Sequence, residues 1–231
     1  PGPAPSPTYV GACTCATCHA PEMELWQGSH HDLAMQHVSE DTVLGDFDNA
    51  TFEKDGVTTT FFRRDGDFVV NTDGPDGTMQ DFVVKFVFGV DPLQQYLLEL
   101  PGGRLNALSI AWDSRPAEQG GQRWFHLYPD EKVPAGDELH WTGRLQNWNT
   151  MCADCHSTNL VRGFDFETDT FHTTWSEINV ACESCHGPGS QHVAWANKTP
   201  GWEAIAGAGL VVPLDERKDA TWILDPETGN S

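Results

Sequence analysis

The spacing Cys-x-x-Cys-His occurs three times in this chain, and no other feature limits its fold and chemistry as much. The copies are Cys15-Ala16-Thr17-Cys18-His19, Cys152-Ala153-Asp154-Cys155-His156 and Cys182-Glu183-Ser184-Cys185-His186. Two thiols three positions apart lie on one side of a helical turn, where both can form thioethers to the vinyl groups of one porphyrin. The residue that follows turns its imidazole toward the iron from the same side. We therefore expect three haem c groups, held by Cys15, Cys18, Cys152, Cys155, Cys182 and Cys185, with His19, His156 and His186 as proximal ligands. Zinc bound by Cys152, Cys155, Cys182 and Cys185 would need no His after each pair and would leave the first copy unexplained. A thioredoxin-like pair calls for one such site in a βαβ pattern, which surrounds none of the three. A disulfide scaffold is disfavoured because cysteines three apart bridge only with strain. Cys13 is the seventh thiol, read as a buried small hydrophobe, with an intermolecular bridge as the alternative.

Seven further His supply candidates for the far side of each iron, which favours bis-His ligation and low-spin haems. His31, with His30 as second choice, lies in the run Pro21 to Met35, where Leu25, Trp26, Ser29, Leu33 and Met35 form an apolar stripe. That stripe predicts an amphipathic helix weakened at Gly28. His192 follows the turn Gly187-Pro188-Gly189, which ends the third motif helix and starts a segment aimed elsewhere, so His192 is assigned to a neighbouring haem. For the third distal position His140, among Leu139 and Trp141, is preferred narrowly to His126, among Phe125 and Tyr128. His37 and His172 lie in polar stretches and read as solvent-facing.

Between the first and second motifs the pattern changes. Asp55-Gly56 and Arg64-Asp65-Gly66 separate alternating runs at Thr51–Glu53, Val57–Phe62 and Phe68–Asn71. Met79–Phe88 and a hairpin of Tyr96–Leu100 with Leu105–Trp112 continue the series. The expected fold class is α+β: a loop-rich triheme c-type cytochrome with short helices and an inserted antiparallel β-meander of six or seven strands. The expected segments are 1–45 for an N-terminal arm and haem 1, 46–127 for the sheet, 128–198 for haems 2 and 3, and 199–231 for a tail or linker. The 30-residue separation of motifs 2 and 3 predicts haems close in space.

Charge narrows the partners. Thirteen Lys and Arg stand against 34 Asp and Glu, a formal charge of −21, which excludes nucleic acid and anionic membrane surfaces as partners. No apolar run is long enough to span a membrane. The Pro-rich start, Pro1-Gly2-Pro3-Ala4-Pro5, reads as that of a processed, exported chain, periplasmic or extracellular.

With these residues in place, the chain resembles the multihaem cytochromes c of the cytochrome c-554-like group, in particular exported forms whose module precedes tetratricopeptide repeats. Tyr9-Val10-Gly11, Trp26 to Met35, Phe88 to Tyr96, Asn147 to Met151 and Cys182 to His192 carry the resemblance. It implies His31 and His192 as distal ligands. Cys13 departs from the pattern. The expected function is electron transfer outside the cytoplasm, to redox proteins that are basic or carry haem themselves. A polymeric cytochrome filament, self-associating through haem edges or Cys13, is the first alternative. The second is an oxyanion reductase with one five-coordinate haem and an anion site at Arg63, Arg64 and Arg104.

Overall fold

The computed structural model describes residues 6–214; Pro1–Pro5 and most of the expected tail lie outside the described residues. The chain starts with two short helices, α1 (Ala12–Ala16) and α2 (Ala20–Trp26), and a two-residue strand β1 (Gln36–His37). Eight more strands follow: β2 (Ala50–Lys54), β3 (Val57–Arg64), β4 (Asp67–Asp73), β5 (Met79–Phe88), β6 (Leu93–Leu100), β7 (Arg104–Ala107), β8 (Ile110–Asp113) and β9 (Arg123–His126). Helices α3 (Trp148–Met151) and α4 (Ala153–His156), a small hairpin of β10 (Phe164–Asp165) and β11 (Thr170–Phe171), and helices α5 (Cys182–His186) and α6 (Ser190–Ala196) complete the order.

The sheet is antiparallel, in the order β2-β3-β4-β5-β6-β8-β9, with β1 added to β5 and β7 to β6. Its first two hairpins close on two-residue loops, Asp55-Gly56 and Asp65-Gly66, in which all four residues have positive φ (52°, 87°, 53° and 92°). That is the type I′ turn, whose twist matches that of the flanking strands. The run Leu105–Trp112 forms two strands. Leu97–Leu100 pairs with β7 and Leu93–Gln94 with β8, and the chain breaks between them at Leu108-Ser109. A register shift between Val84 and Phe86 bends β5 as well. The sheet curls until β9 lies against β2, closing most of a barrel.

Curling gathers the aromatic residues of the alternating runs on one inner face. Phe61 stacks on Trp124 with ring centres 3.6 Å apart, and Phe47 meets Phe61, Phe68, Tyr96 and Trp124 edge-on. Inside, the Tyr96 hydroxyl donates to Gln94 Oε1 at 2.9 Å and accepts from the Gly45 N–H, also at 2.9 Å. A second apolar cluster sits on the other side, where Met35, Phe88, Leu97 and Ala107 meet Trp148 and Ala153. There the Asn147-Trp148-Asn149-Thr150 run docks the second motif on the sheet. Asn147 donates to Asn106 Oδ1 at 3.1 Å, Asn149 accepts from the Leu105 N–H at 2.8 Å, and Trp148 is fully buried.

Two expected elements differ. The helix expected across residues 21–35 stops at Trp26; Gly28 takes a positive φ of 73°, and a short 3-10 turn, Asp32–Ala34, follows. The backbone freedom of glycine at that break outweighs the apolar periodicity, and Leu25 is left exposed. Residues 199–214, read as linker, instead fold back: Val212 N–H donates to the His186 carbonyl at 3.2 Å, and two 3-10 turns pack on α6.

Phe61→Ala should cost about 3–5 kcal/mol, because a fully buried ring in a close-packed cluster leaves a cavity. A urea melt followed by near-ultraviolet circular dichroism should show a lower midpoint with an unchanged slope.

Candidate haem-binding site

Each Cys-x-x-Cys-His copy folds as a single helical turn. In the first, Cys18 N–H donates to the Cys15 carbonyl at 3.1 Å and His19 N–H to the same carbonyl at 2.9 Å. In the second, Cys155 N–H donates to the Cys152 carbonyl at 3.0 Å; the third is α5 itself. Both thiols of a copy therefore share one side of a turn. The outer ones, Cys18, Cys155 and Cys185, are exposed; Cys15, Cys152 and Cys182 are half-buried; none of the seven cysteines is in a disulfide. Burial pushes the Cys152 thiol up. It pushes Cys15 up to about 11, helped by the neighbouring Cys182 thiol and the Glu183 carboxylate.

Motif 3 lies between the other two. Towards motif 1, Cys15 and Cys182 share a cavity of about 280 Å³ with His19, His186 and His192, walled by Gly187–Gly189 and Leu210–Val211. Towards motif 2, the buried Thr158 hydroxyl is 2.6 Å from Ser184 Oγ, and Thr158 Oγ1 accepts the Ala181 N–H at 3.0 Å. The expected closeness of motifs 2 and 3 agrees with this contact. The partnership of motifs 1 and 3, which are 167 positions apart (182 − 15), is something spacing could not reveal.

The imidazoles are arranged for ligation. His19 and His192 face each other across the shared cavity with ring centres 6.1 Å apart and planes 28° apart. Two imidazoles placed this way could hold one iron between them. His192 Nδ1 donates to the Ala208 carbonyl at 2.9 Å, and His156 Nδ1 to the Ala34 carbonyl at 2.9 Å. A carbonyl only accepts, so each bond places the proton on Nδ1 and leaves Nε2 bare for a metal. His31 lies beside motifs 2 and 3: its carbonyl accepts the Val180 N–H at 3.1 Å, and Asn179 Nδ2 donates to Asp32 Oδ1 at 2.9 Å. His30 and His31 are exposed, in the turn after the break at Gly28.

Four expectations need correction. His140 and His126 line a separate cavity of about 260 Å³ under the sheet, shared with Phe52, Asp73 and Trp141 and with no motif residue. His140 lies with Nε2 3.1 Å from Asp73 Oδ2 and Nδ1 2.7 Å from Thr142 Oγ1, so neither ring nitrogen is free for iron. His126 Nδ1 accepts the Tyr128 N–H at 3.0 Å, and burial, then the nearby Lys54, lowers its pKa. Trp141 beside His140 and Trp124 near His126 belong to the sheet's own core, which is why composition suggested a haem edge. Cys13 is exposed, because its turn of α1 points outward. The three arginines offered for an anion site are each paired with a carboxylate: Arg63 with Glu40, Arg64 with Asp81 at 2.5 Å, and Arg104 with Asp169 at 2.6 Å. His37 and His172 are exposed as expected. His37 nevertheless packs at a tilt against Phe86, ring centres 5.5 Å apart, two residues before the Phe88 that touches His156, so it stands on the motif 2 side of β5. Only the β1–β5 pairing reveals that placement.

The residues fit haem c on three counts. The attachment thiols are free of disulfides, the Nδ1 hydrogen bonds of His156 and His192 leave Nε2 bare, and apolar side chains lie exposed around the motifs. Met151, beside the second motif, is 56% exposed, and Val211, in the cavity wall beside the third, 48%. No cluster of three or more His, Cys, Asp or Glu able to hold a metal ion occurs among the described residues, so the thiols of motifs 2 and 3 are not gathered into a zinc site. The family described as cytochrome c554 and c-prime matches residues 14–60 and 124–187, all three motifs included. The chain belongs to the cytochrome c554-like multihaem cytochromes. As a c-type cytochrome it holds haem covalently and works in electron transfer. The match breaks across residues 61–123, most of the sheet. Comparison with curated proteins and with solved structures finds no match. No helix among the described residues is long and apolar enough to cross a membrane.

The Asp73–His140 pair provides a test of the reassignment. Burial pushes the Asp73 carboxyl up, but the hydrogen bond and charge of His140 outweigh it and hold it below the usual carboxylate range. A depressed carboxyl stabilises the fold above its unfolded pKa and loses that contribution as pH falls through the folded one. His140→Ala should therefore cost about 1–3 kcal/mol at neutral pH in a urea melt. The deficit should shrink below about pH 4, while the haem spectrum stays that of the unaltered protein.

Proposed function

We propose that this cytochrome carries three haem c groups with bis-His, low-spin irons and passes single electrons in an exported setting, periplasmic or extracellular. Haem c supplies reversible one-electron chemistry when bound. The chain supplies the rest. Cys15 with Cys18, Cys152 with Cys155, and Cys182 with Cys185 anchor the three groups. His19, His156 and His186 present a ring nitrogen from the adjoining position. The observation that carries the bis-His reading is the His19–His192 pair, 6.1 Å apart across one apolar cavity. His31, set between motifs 2 and 3, serves as distal ligand to one of those two irons. Two imidazoles give a lower potential than an imidazole with a thioether.

The excess of carboxylates favours a basic redox partner, steered by charge at long range. The rate of reduction of a basic acceptor protein should therefore fall steeply as ionic strength rises, and that of an acidic acceptor should not.

Intact-mass measurement with electron paramagnetic resonance tests the reading directly. The expected result is a mass equal to the polypeptide plus three haems, with ferric signals that are all low-spin. A mass short of three haems rejects the count, and a high-spin signal rejects bis-His ligation of every iron.

A further inference from the structure

The Glu183 carboxylate occupies an unusual position. It belongs to the variable part of motif 3, where spacing asks nothing of it, yet it is only 3% exposed. No cation among the described residues pairs with it. Four contacts from backbone N–H groups satisfy it instead: Val10 at 3.0 and 3.1 Å, one to each oxygen, Gly11 at 2.8 Å on Oε2, and Gly189 at 2.7 Å on Oε1. Hydrogen bonds to an ionised acceptor are about twice as strong as neutral ones, and a buried carboxylate robbed of its donors is costly.

The donors come from two places. Val10 and Gly11 lead into α1, which carries Cys15 and is followed three residues later by His19 at the start of α2. Gly189 caps α6, the helix that carries His192. The two oxygens thus hold together the elements that bring the two facing imidazoles to one cavity. A Cβ on Gly189 would lie 3.2 Å from Glu183 Oε1 and 3.3 Å from Val10 Cγ2, so the grip leaves little room for a side chain there. Thr8 and Ser190 extend the seam outward: Thr8 N–H donates to Ser190 Oγ at 2.8 Å, and Ser190 N–H donates to the Thr8 carbonyl at 3.1 Å.

We propose that Glu183 is the positioning residue for axial ligation at motif 1, clamping the His19 and His192 elements at the separation one iron requires. The proposal rests on the assignment of His192 as distal ligand to that iron. Glu183 acts through the backbone N–H groups at Val10, Gly11 and Gly189.

The test uses the haem-loaded protein with Glu183→Gln, which keeps the side chain's shape but turns an amide NH₂ toward backbone donors. The expected result is one haem per chain that gains a ferric high-spin signal and binds carbon monoxide when reduced, the others staying low-spin. Free imidazole should restore the low-spin spectrum by supplying the loosened ligand, a rescue that general destabilisation would not show. If that variant does not accumulate, Gly189→Ala, which crowds the same oxygen, should give the same partial high-spin signal. His192→Ala is measured alongside. If His192→Ala gains carbon monoxide binding and neither clamp variant does, the clamp is wrong and the ligand assignment stands. If His192→Ala itself stays low-spin and inert to carbon monoxide, the assignment and the clamp both fall.

Discussion

A helical turn of four to seven residues does not hold itself together in water, because nucleating it fixes several backbone torsions for a single hydrogen bond. Every helix among the described residues is of that length. The motif-bearing half of the chain is organised around this constraint, and buried polar side chains meet it by gripping backbone from distant segments. Glu183 holds the lead-ins to α1 and α6, Thr158 and Ser184 join motif 2 to motif 3, and Asn147 with Asn149 fixes α3 to the sheet edge at Leu105 and Asn106. Glu177 adds a bond to the first free N–H of α1, at Ala12, 2.9 Å away. These contacts set where each thiol pair and each imidazole stands.

What these contacts do not provide is apolar filling. The curled sheet has its own core of Phe47, Phe61, Tyr96 and Trp124, whereas α1, α2, α5 and α6 together bury only Ala12 and Glu183. The exposed Leu25, Met151, Val211 and Val212 stand around cysteines and histidines instead of inside a cluster of their own. Covalently held porphyrins would supply apolar surface for these side chains to pack against. The sheet is a rigid flank for this assembly: Met35, Phe88 and Trp148 seal it to motif 2.

Much of this was legible in the sequence because it depends on local rules. The motif turns follow from i, i+3 spacing, the first two hairpins from Asp-Gly at positions that need positive φ, and the turn before α6 from Gly187-Pro188-Gly189. Three features depend on long-range packing and were not legible. His126 and His140 look like haem-lining residues among Phe, Trp and Tyr, but Trp124 and Trp141 belong to the sheet's core and Asp73 claims the second imidazole. Cys13 has the composition of a buried thiol, but the face of α1 that it occupies is outward. The partnership of motif 1 with motif 3 depends on Glu183, a residue that the spacing rule treats as arbitrary.

The central claim is that covalently held haem completes the core of the motif-bearing half while the sheet folds on its own contacts. Amide hydrogen exchange, compared between the haem-loaded protein and the same chain made without haem, tests it most directly. The account expects strands β3 to β6 to be protected in both forms, and residues 9–31 and 181–196 to be protected only in the loaded one. Equal protection of those motif segments in the haem-free chain would contradict it.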